Sequence, residues 1–178
     1  MSRLPFARSV TIMVDGMDQA KFGYLRDECM SAKDFSSFNR PRLHVIGALA
    51  HGHFTFFAVS EADMPKDSNL NADLLSHMLD LLARRGLHMD MMEVIVQSDN
   101  CIREVKNNTL MRLLGTLVGK RRLRRAELRQ LMTGHSHEDL DQVFGRLAAY
   151  LASHNSVHTP QEFLAHKKRF LSEPGCRP

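Results

Sequence analysis

The chain has 178 residues, 43% of them hydrophobic and 25% charged, which suits one globular domain able to bury its own core. Charged residues interrupt every apolar run before the ~18 residues a membrane span needs, and no apolar signal core follows Met1-Ser2-Arg3, so neither a membrane partner nor a secretory leader is expected. Three scattered cysteines, Cys29, Cys101 and Cys176, read as reduced thiols in an intracellular protein, and a net charge of +4 permits a polyanionic partner without demanding one.

The first regular segment is Ser9 to Val14, a short β-branched strand that ends at the turn signal Asp15-Gly16. Asp18 to Arg42 holds no sustained period and reads as a long loop. Leu43 to Leu49 and His53 to Ser60 are the next strands, and Ala50-His51-Gly52 between them predicts a hairpin. Loop chemistry over Met64 to Asn69 leads into a helix from about Asn71 to Arg85, with leucines and Met78 at steps of three and four and Gly86 as its stop.

Met92 to Gln97 is a compact apolar strand ending at Ser98-Asp99-Asn100. Asn107 to Val118 forms a second helix, and Ala126 to Met132 a weakly patterned strand. A third helix covers Asp139 to Ser153, with Leu140, Val143, Phe144, Leu147 and Leu151 at helical spacing. Thr159-Pro160-Gln161-Glu162 is a capping box that opens a last helix reaching about residue 171. Three strands followed by helix–strand alternation give an α/β fold, a mixed five-stranded sheet flanked by helices. The expected organisation is a single domain over residues 1–178, its core between about 9 and 153.

Acidic residues gather where such sheets place their sites, outside the carboxyl ends of strands. Asp15 ends the first strand, Asp99 ends the fourth, and Glu138-Asp139-Leu140-Asp141 opens the third helix. Helical spacing puts Glu138 and Asp141 near one face and turns Asp139 away. Carboxylates converging from these three places suit a hard divalent cation, Mg²⁺ or Mn²⁺. Each also has a plainer role: Asp before Gly forms turns, and acids in a first helical turn offset the helix dipole.

Basic charge is concentrated in Lys120-Arg121-Arg122-Leu123-Arg124-Arg125, five cations in six residues. A solvated connection, a phosphate-binding patch and a nuclear-import signal all fit that run.

Several motifs together resemble a known family. Asp99-Asn100-Cys101 at a strand end, Lys106-Asn107 opening a helix, and Gly134-His135-Ser136 followed by Asp141, Phe144 and Gly145 are similar to a family of eukaryotic, transposon-derived domains. That family is catalogued as domain of unknown function 7869 and is regarded as transposase- or integrase-like, with an RNase H-like fold. Asp15 to Phe22 resembles its first acidic motif, and the likeness runs from about Thr11 to Leu147. Ile102 to Val105 departs from relatives that carry Gly and Gln there.

The resemblance implies two-metal-ion phosphoryl transfer on nucleic acid, with Asp15, Asp99 and Asp141 holding two Mg²⁺ or Mn²⁺ ions. Asp18 and Glu138 are reserve acids. His135 and His137 would position the nucleophile or scissile phosphate, while Asn100, Lys106, Asn107, Lys120, Arg121 and Arg122 would contact the nucleic-acid backbone. The DNA-binding segment of a complete transposase is not recognised, so the chain reads as a fragment or a trimmed, domesticated copy.

Two other readings stay open. An RNase H-like fold that no longer cuts would serve as a nucleic-acid- or protein-binding module, alone or as an oligomer. His135-Ser136-His137-Glu138-Asp139 also imitates the start of a zinc hydrolase motif, although Leu140 stands where the next His belongs.

Overall fold

A computed structural model describes residues 9–17, 27, 43–61, 64, 67–98, 108–130, 139–153 and 156–172. Five strands are formed by Ser9–Gly16 (β1), Leu43–Ala50 (β2), Phe54–Glu61 (β3), Glu93–Ser98 (β4) and Arg125–Gln130 (β5). Four helices, Ser68–Arg84 (α1), Asn108–Gly119 (α2), Asp139–Ala152 (α3) and Pro160–Ser172 (α4), flank the sheet they make. Strand order is β3-β2-β1-β4-β5. β2 runs antiparallel to β1 and β3, whereas β1, β4 and β5 are parallel. The expected mixed five-stranded sheet is therefore present. β1 lies at its centre because its alternating residues are apolar on both faces.

That alternation divides the core. Val10, Ile12 and Val14 of β1, with Ile46, Ala48, Val94 and Val96, turn toward α1 and α2 and meet Leu74, Leu75, Met78, Leu82, Leu110 and Leu114. Met13 and Met17, with Leu43, Val45, Leu49 and Phe57, turn the other way to Leu140, Phe144 and Leu147 of α3 and to Phe163 and Phe170 of α4. Burying each such side chain contributes about 1.5–3 kcal/mol over leaving it in water. The helices' apolar steps of three and four put these residues on one stripe each.

The ends of α1 and α4 follow from their caps. The Asp67 carboxylate accepts from the amides of Asn69 and Leu70 at 2.9 and 3.1 Å, so α1 starts at Ser68, three residues before the expected Asn71. These bonds hold the Asp67 carboxyl below its usual range, the Leu70 amide contributing most. Thr159 Oγ1 accepts from the Glu162 amide at 3.1 Å, and Glu162 reaches back to the His158 amide at 2.8 Å. The box is thus the one the sequence predicts, with its return bond to His158. A short 3₁₀ turn over Met89–Met91, which the periodicity does not signal, leads into β4. Among the described residues no helix is long and apolar enough to cross a membrane.

Candidate functional site

Asp15 occupies the last turn-ward position of β1, where its Oδ1 accepts the Gly16 amide at 2.7 Å. Its side chain shares a sheet face with Met13, the face toward α3. Val14, one residue earlier, is in parallel register with Ser98, the last residue of β4 and the one before Asp99. Asp99 itself lies outside the described residues, as do Asp18, Asn100, Lys106, Asn107, His135, His137 and Glu138.

The third acid is placed by a close approach. Gly47 of β2 is the register partner of Asp15. A Cβ on Gly47 would stand 2.7 Å from Phe144 Cζ and 2.9 Å from Leu140 Cδ1. Only glycine lets the first turns of α3 press this near to the strand beside Asp15. α3 is consequently seated over the β1–β2 pair, with Asp141 in its first turn.

Helical rotation then separates Asp141 from Asp139. Leu140, Phe144, Leu147 and Leu151 point into the core. Tyr150 lies on one flank and packs against His166 and Phe170 of α4, at ring distances of 6.3 and 5.6 Å. α4 covers the β3 side, because Lys167 Nζ reaches the Phe57 carbonyl. At about 100° per residue Asp139 falls on the Tyr150 flank and Asp141 on the opposite one. Asp139 is 63% exposed, with Oδ2 3.8 Å from His51 Nδ1, while Asp141 is half-buried. His51 Nε2 also stands 2.8 Å from Met13 Sδ. Through His51, Asp139 also neighbours Met13, which shares the Asp15 face, while Asp141 lies on the other flank of the helix.

Beside these acids, the same face of β4 and β5 is polar apart from Ile95. Gln97 and Arg129 are in register with Met13, and Ile95 and Glu127 follow in the next row. Arg129 donates two hydrogen bonds to Glu127, at 3.0 and 3.2 Å, and those bonds hold the Glu127 carboxyl below its usual range. Sequence reasoning did not single out Gln97, Arg129 or His51. β5 is too weakly patterned to show which of its residues share the Asp15 face, and His51 reads only as part of a turn.

The basic run belongs elsewhere. Lys120, Arg121 and Arg122 form the turn between α2 and β5, and Arg125 is in register with Glu93 at the start of β4. Asp15 lies at the opposite, carboxyl end of the strands. The fold sets the run at the Glu93 end of β4, about 17 Å from Ser98 along the strand at ~3.3 Å per residue, whereas Asn100, Lys106 and Asn107, with which the sequence groups it, lie outside the described residues. No group of three or more His, Cys, Asp or Glu side chains able to hold a metal occurs among the described residues.

A family model described as Domain of unknown function (DUF7869) matches residues 33–176. Among solved structures, the chain is similar to one in the crystal structure of a pre-cleavage Mos1 transpososome, with a TM-score of 0.57 and 11% identity over 96% of this chain and 50% of that one. A chain in the crystal structure of the Mos1 strand transfer complex gives a TM-score of 0.49 at 14% identity, covering 93% of this chain and 47% of that one. This chain thus spans about half the length of the solved chains it resembles. No curated protein matches it. The first likeness shows the fold, which is RNase H-like as the motifs implied.

Proposed function

The chain belongs to the DUF7869 family, and from that premise we propose that its RNase H-like fold carries a site for metal-dependent phosphoryl transfer on nucleic acid, built from Asp15, Asp99 and Asp141. The observation that supports this most is the seat of α3 on Gly47, the register partner of Asp15, which brings the helix that carries Asp141 close to that strand pair. Nucleic acid is the substrate class because the fold is one whose solved relative comes from a transpososome.

The donor set fits a hard divalent cation: every acid in it offers carboxylate oxygens, and Asp15 and Asp141 are half-buried rather than fully solvated. Asp15, Asp99 and Asp141 would hold Mg²⁺ or Mn²⁺, with Glu138 as a further oxygen donor. Two such ions supply a nucleophile at neutral pH and stabilise the leaving oxygen. The chain's own part is to fix these carboxylates on rigid elements, so that little ordering remains to be done when the substrate arrives. Asp139 has His51 as its neighbour, and Asp141 is the acid of α3 assigned to the site. Gln97 and the Arg129 guanidinium offer donors on the open face along which a phosphate backbone would pass. His135 and His137 would position the nucleophile.

Calorimetric titration of Mn²⁺ into wild type and Asp99→Ala, with a plasmid-nicking assay alongside, tests the reading. Micromolar binding and nicking in wild type, both lost in Asp99→Ala, are expected. Absence of Mn²⁺ binding in wild type with nucleic acid present overturns it and leaves a binding module.

A further inference from the structure

The two helices that cover one face of the sheet end in the same hydrogen-bonded motif, but with different residues at its critical position. At the end of α1 the Gly86 amide donates to the Ala83 carbonyl at 2.9 Å and the Leu87 amide to Leu82 at 3.2 Å. Gly86 takes the left-handed φ of 89° that this motif requires. At the end of α2 the Arg121 amide donates to Val118 at 2.9 Å and the Arg122 amide to Leu117 at 2.8 Å. The left-handed position there, at φ 55°, is filled by Arg121. It is the one residue other than glycine with positive φ among the described residues. An L side chain in that conformation is disfavoured, so the turn accepts strain that glycine would relieve.

The strained turn is also rigid. Leu123 is buried in the core, and the Arg124 amide is fastened to the Met92 carbonyl at 3.1 Å. Lys120, Arg121, Arg122 and Arg124 are nonetheless exposed and make no ion pair among the described residues, while Arg125 pairs with Glu93 at 3.3 Å. Ala83 and Leu87 of α1 line the same cleft as Arg121 and Arg122, a cavity of about 580 Å³, whereas Arg85 at that helix end turns to the β3 edge. Arg85 is held in place by the His53 carbonyl at 2.8 Å and lies over the Phe54 ring at 4.4 Å. At the turn itself five cations, Lys120, Arg121, Arg122, Arg124 and Arg125, thus stand against three carboxylates, Asp80, Asp90 and Glu93.

We propose that this end of the molecule is a second nucleic-acid surface, a fixed set of arginines that binds backbone phosphates apart from the acidic site. It sits at the opposite end of β4 from Ser98, a span of about five base pairs at ~3.4 Å each. It also adjoins the α1–α2 face, not the α3 face that Asp15 shares. Because it lies toward the other face of the sheet, it holds a segment separate from, or bent away from, the one on the acids. The proposal rests on the nucleic-acid part of the function given above and is independent of the chemistry there.

The test is the salt dependence of binding to a labelled DNA duplex, by fluorescence anisotropy. Arg121→Ala with Arg122→Ala is compared with Lys168→Ala with Arg169→Ala, which removes the same charge from the exposed face of α4. Each phosphate contact contributes about −0.9 to the slope of log K against log salt. The first variant is expected to flatten that slope by about 1.8 and to weaken low-salt binding roughly tenfold or more, and the second to leave both near wild type. Arg121→Gly keeps the turn, removes one charge and should flatten the slope by about 0.9 with no loss of melting temperature. Equal effects of the two double variants, or none from the first, overturn the proposal. So does loss of binding to an acidic polypeptide with DNA binding intact. Asp99→Ala that abolishes Mn²⁺ binding and nicking while keeping the wild-type salt slope supports both readings. A wild type that shows the slope but neither binds Mn²⁺ nor nicks overturns the phosphoryl-transfer reading alone.

Discussion

Lys167 of α4 donates a hydrogen bond to the backbone carbonyl of Phe57 at 3.1 Å from a position only 5% exposed. Phe57 belongs to β3, an outer strand of the sheet, so the bond helps hold α4 against that edge. The Phe57 ring is a further neighbour of the amine, 5.7 Å from Nζ. Burial, helped by the charge of Lys168, pushes the Lys167 amine down to about 8.

A pH dependence follows from that depression. Below pH 8 the amine is protonated in both folded and unfolded chains, and the folded state carries the full cost of a buried charge. Between pH 8 and the ordinary value near 10.4 the unfolded chain binds the extra proton, so stability rises with pH. The gain is on the order of 3 kcal/mol at about 1.4 kcal/mol per pH unit. The neutral amine still donates to Phe57, so the contact survives. Urea unfolding of wild type against Lys167→Met from pH 7 to 10.5 checks this: the difference should shift toward wild type above pH 8, and a constant difference refutes it.

Gly47→Ala tests the seat of α3. The added methyl meets Phe144 Cζ at 2.7 Å, and Phe144 is 2% exposed with no open side to move into. A loss of about 1–3 kcal/mol is expected, as for other overpacked cores. Adding Phe144→Leu should recover part of it in a double-mutant cycle, with a coupling above about 0.5 kcal/mol. Additive losses would show that the two side chains do not compete for the same space.

The sequence exposed the element order because each element writes its own period. Strands alternate, helices step by three and four, and Gly86 and Pro160 punctuate them. Gly47 carries a readable signal too, since a glycine inside an apolar strand marks a close approach. What stays hidden is relational. Nothing local distinguishes the two ends of a sheet, so the pattern does not say at which end Lys120 to Arg125 lie. Lys167 lies on the stripe of Phe163 and Phe170, four and three residues away, but a lysine between the exposed Lys168 and Arg169 reads as surface charge rather than as a buried amine. Asp141 is different: helical rotation alone separates it from Asp139, and packing of Tyr150 against α4 only fixes which flank is which.

Arg121→Gly should raise stability, although it removes a surface charge at the negative end of the α2 dipole. Left-handed backbone costs an L residue about 1–2 kcal/mol, and glycine gives back part of this through its freer unfolded chain. The net gain is under about 1 kcal/mol, a rise in melting temperature of roughly 2 °C for a chain of this size. Thermal unfolding of the two proteins at equal pH and salt measures it. A fall in melting temperature would mean that the Arg121 side chain holds the turn together through contacts of its own.

The choice between Asp139 and Asp141 admits the sharpest test of the acidic site. Both carboxylates lie in the first turn of α3, two residues apart, so either substitution leaves the same helix dipole and nearly the same cap. They differ in setting: Asp139 is exposed and near His51, Asp141 half-buried on the opposite flank of the helix. Asp141→Asn should therefore weaken Mn²⁺ binding by more than the 10–100-fold seen when an outer-shell partner is lost, with nicking lost alongside. Asp139→Asn should change the affinity by less than about threefold, because a solvent-exposed pair with His51 is worth roughly 0–1 kcal/mol. Calorimetry on the two variants reads both outcomes. Equal losses would mean that the first turn of α3 contributes only its overall negative charge, and loss confined to Asp139→Asn would rotate the site to the α4 flank.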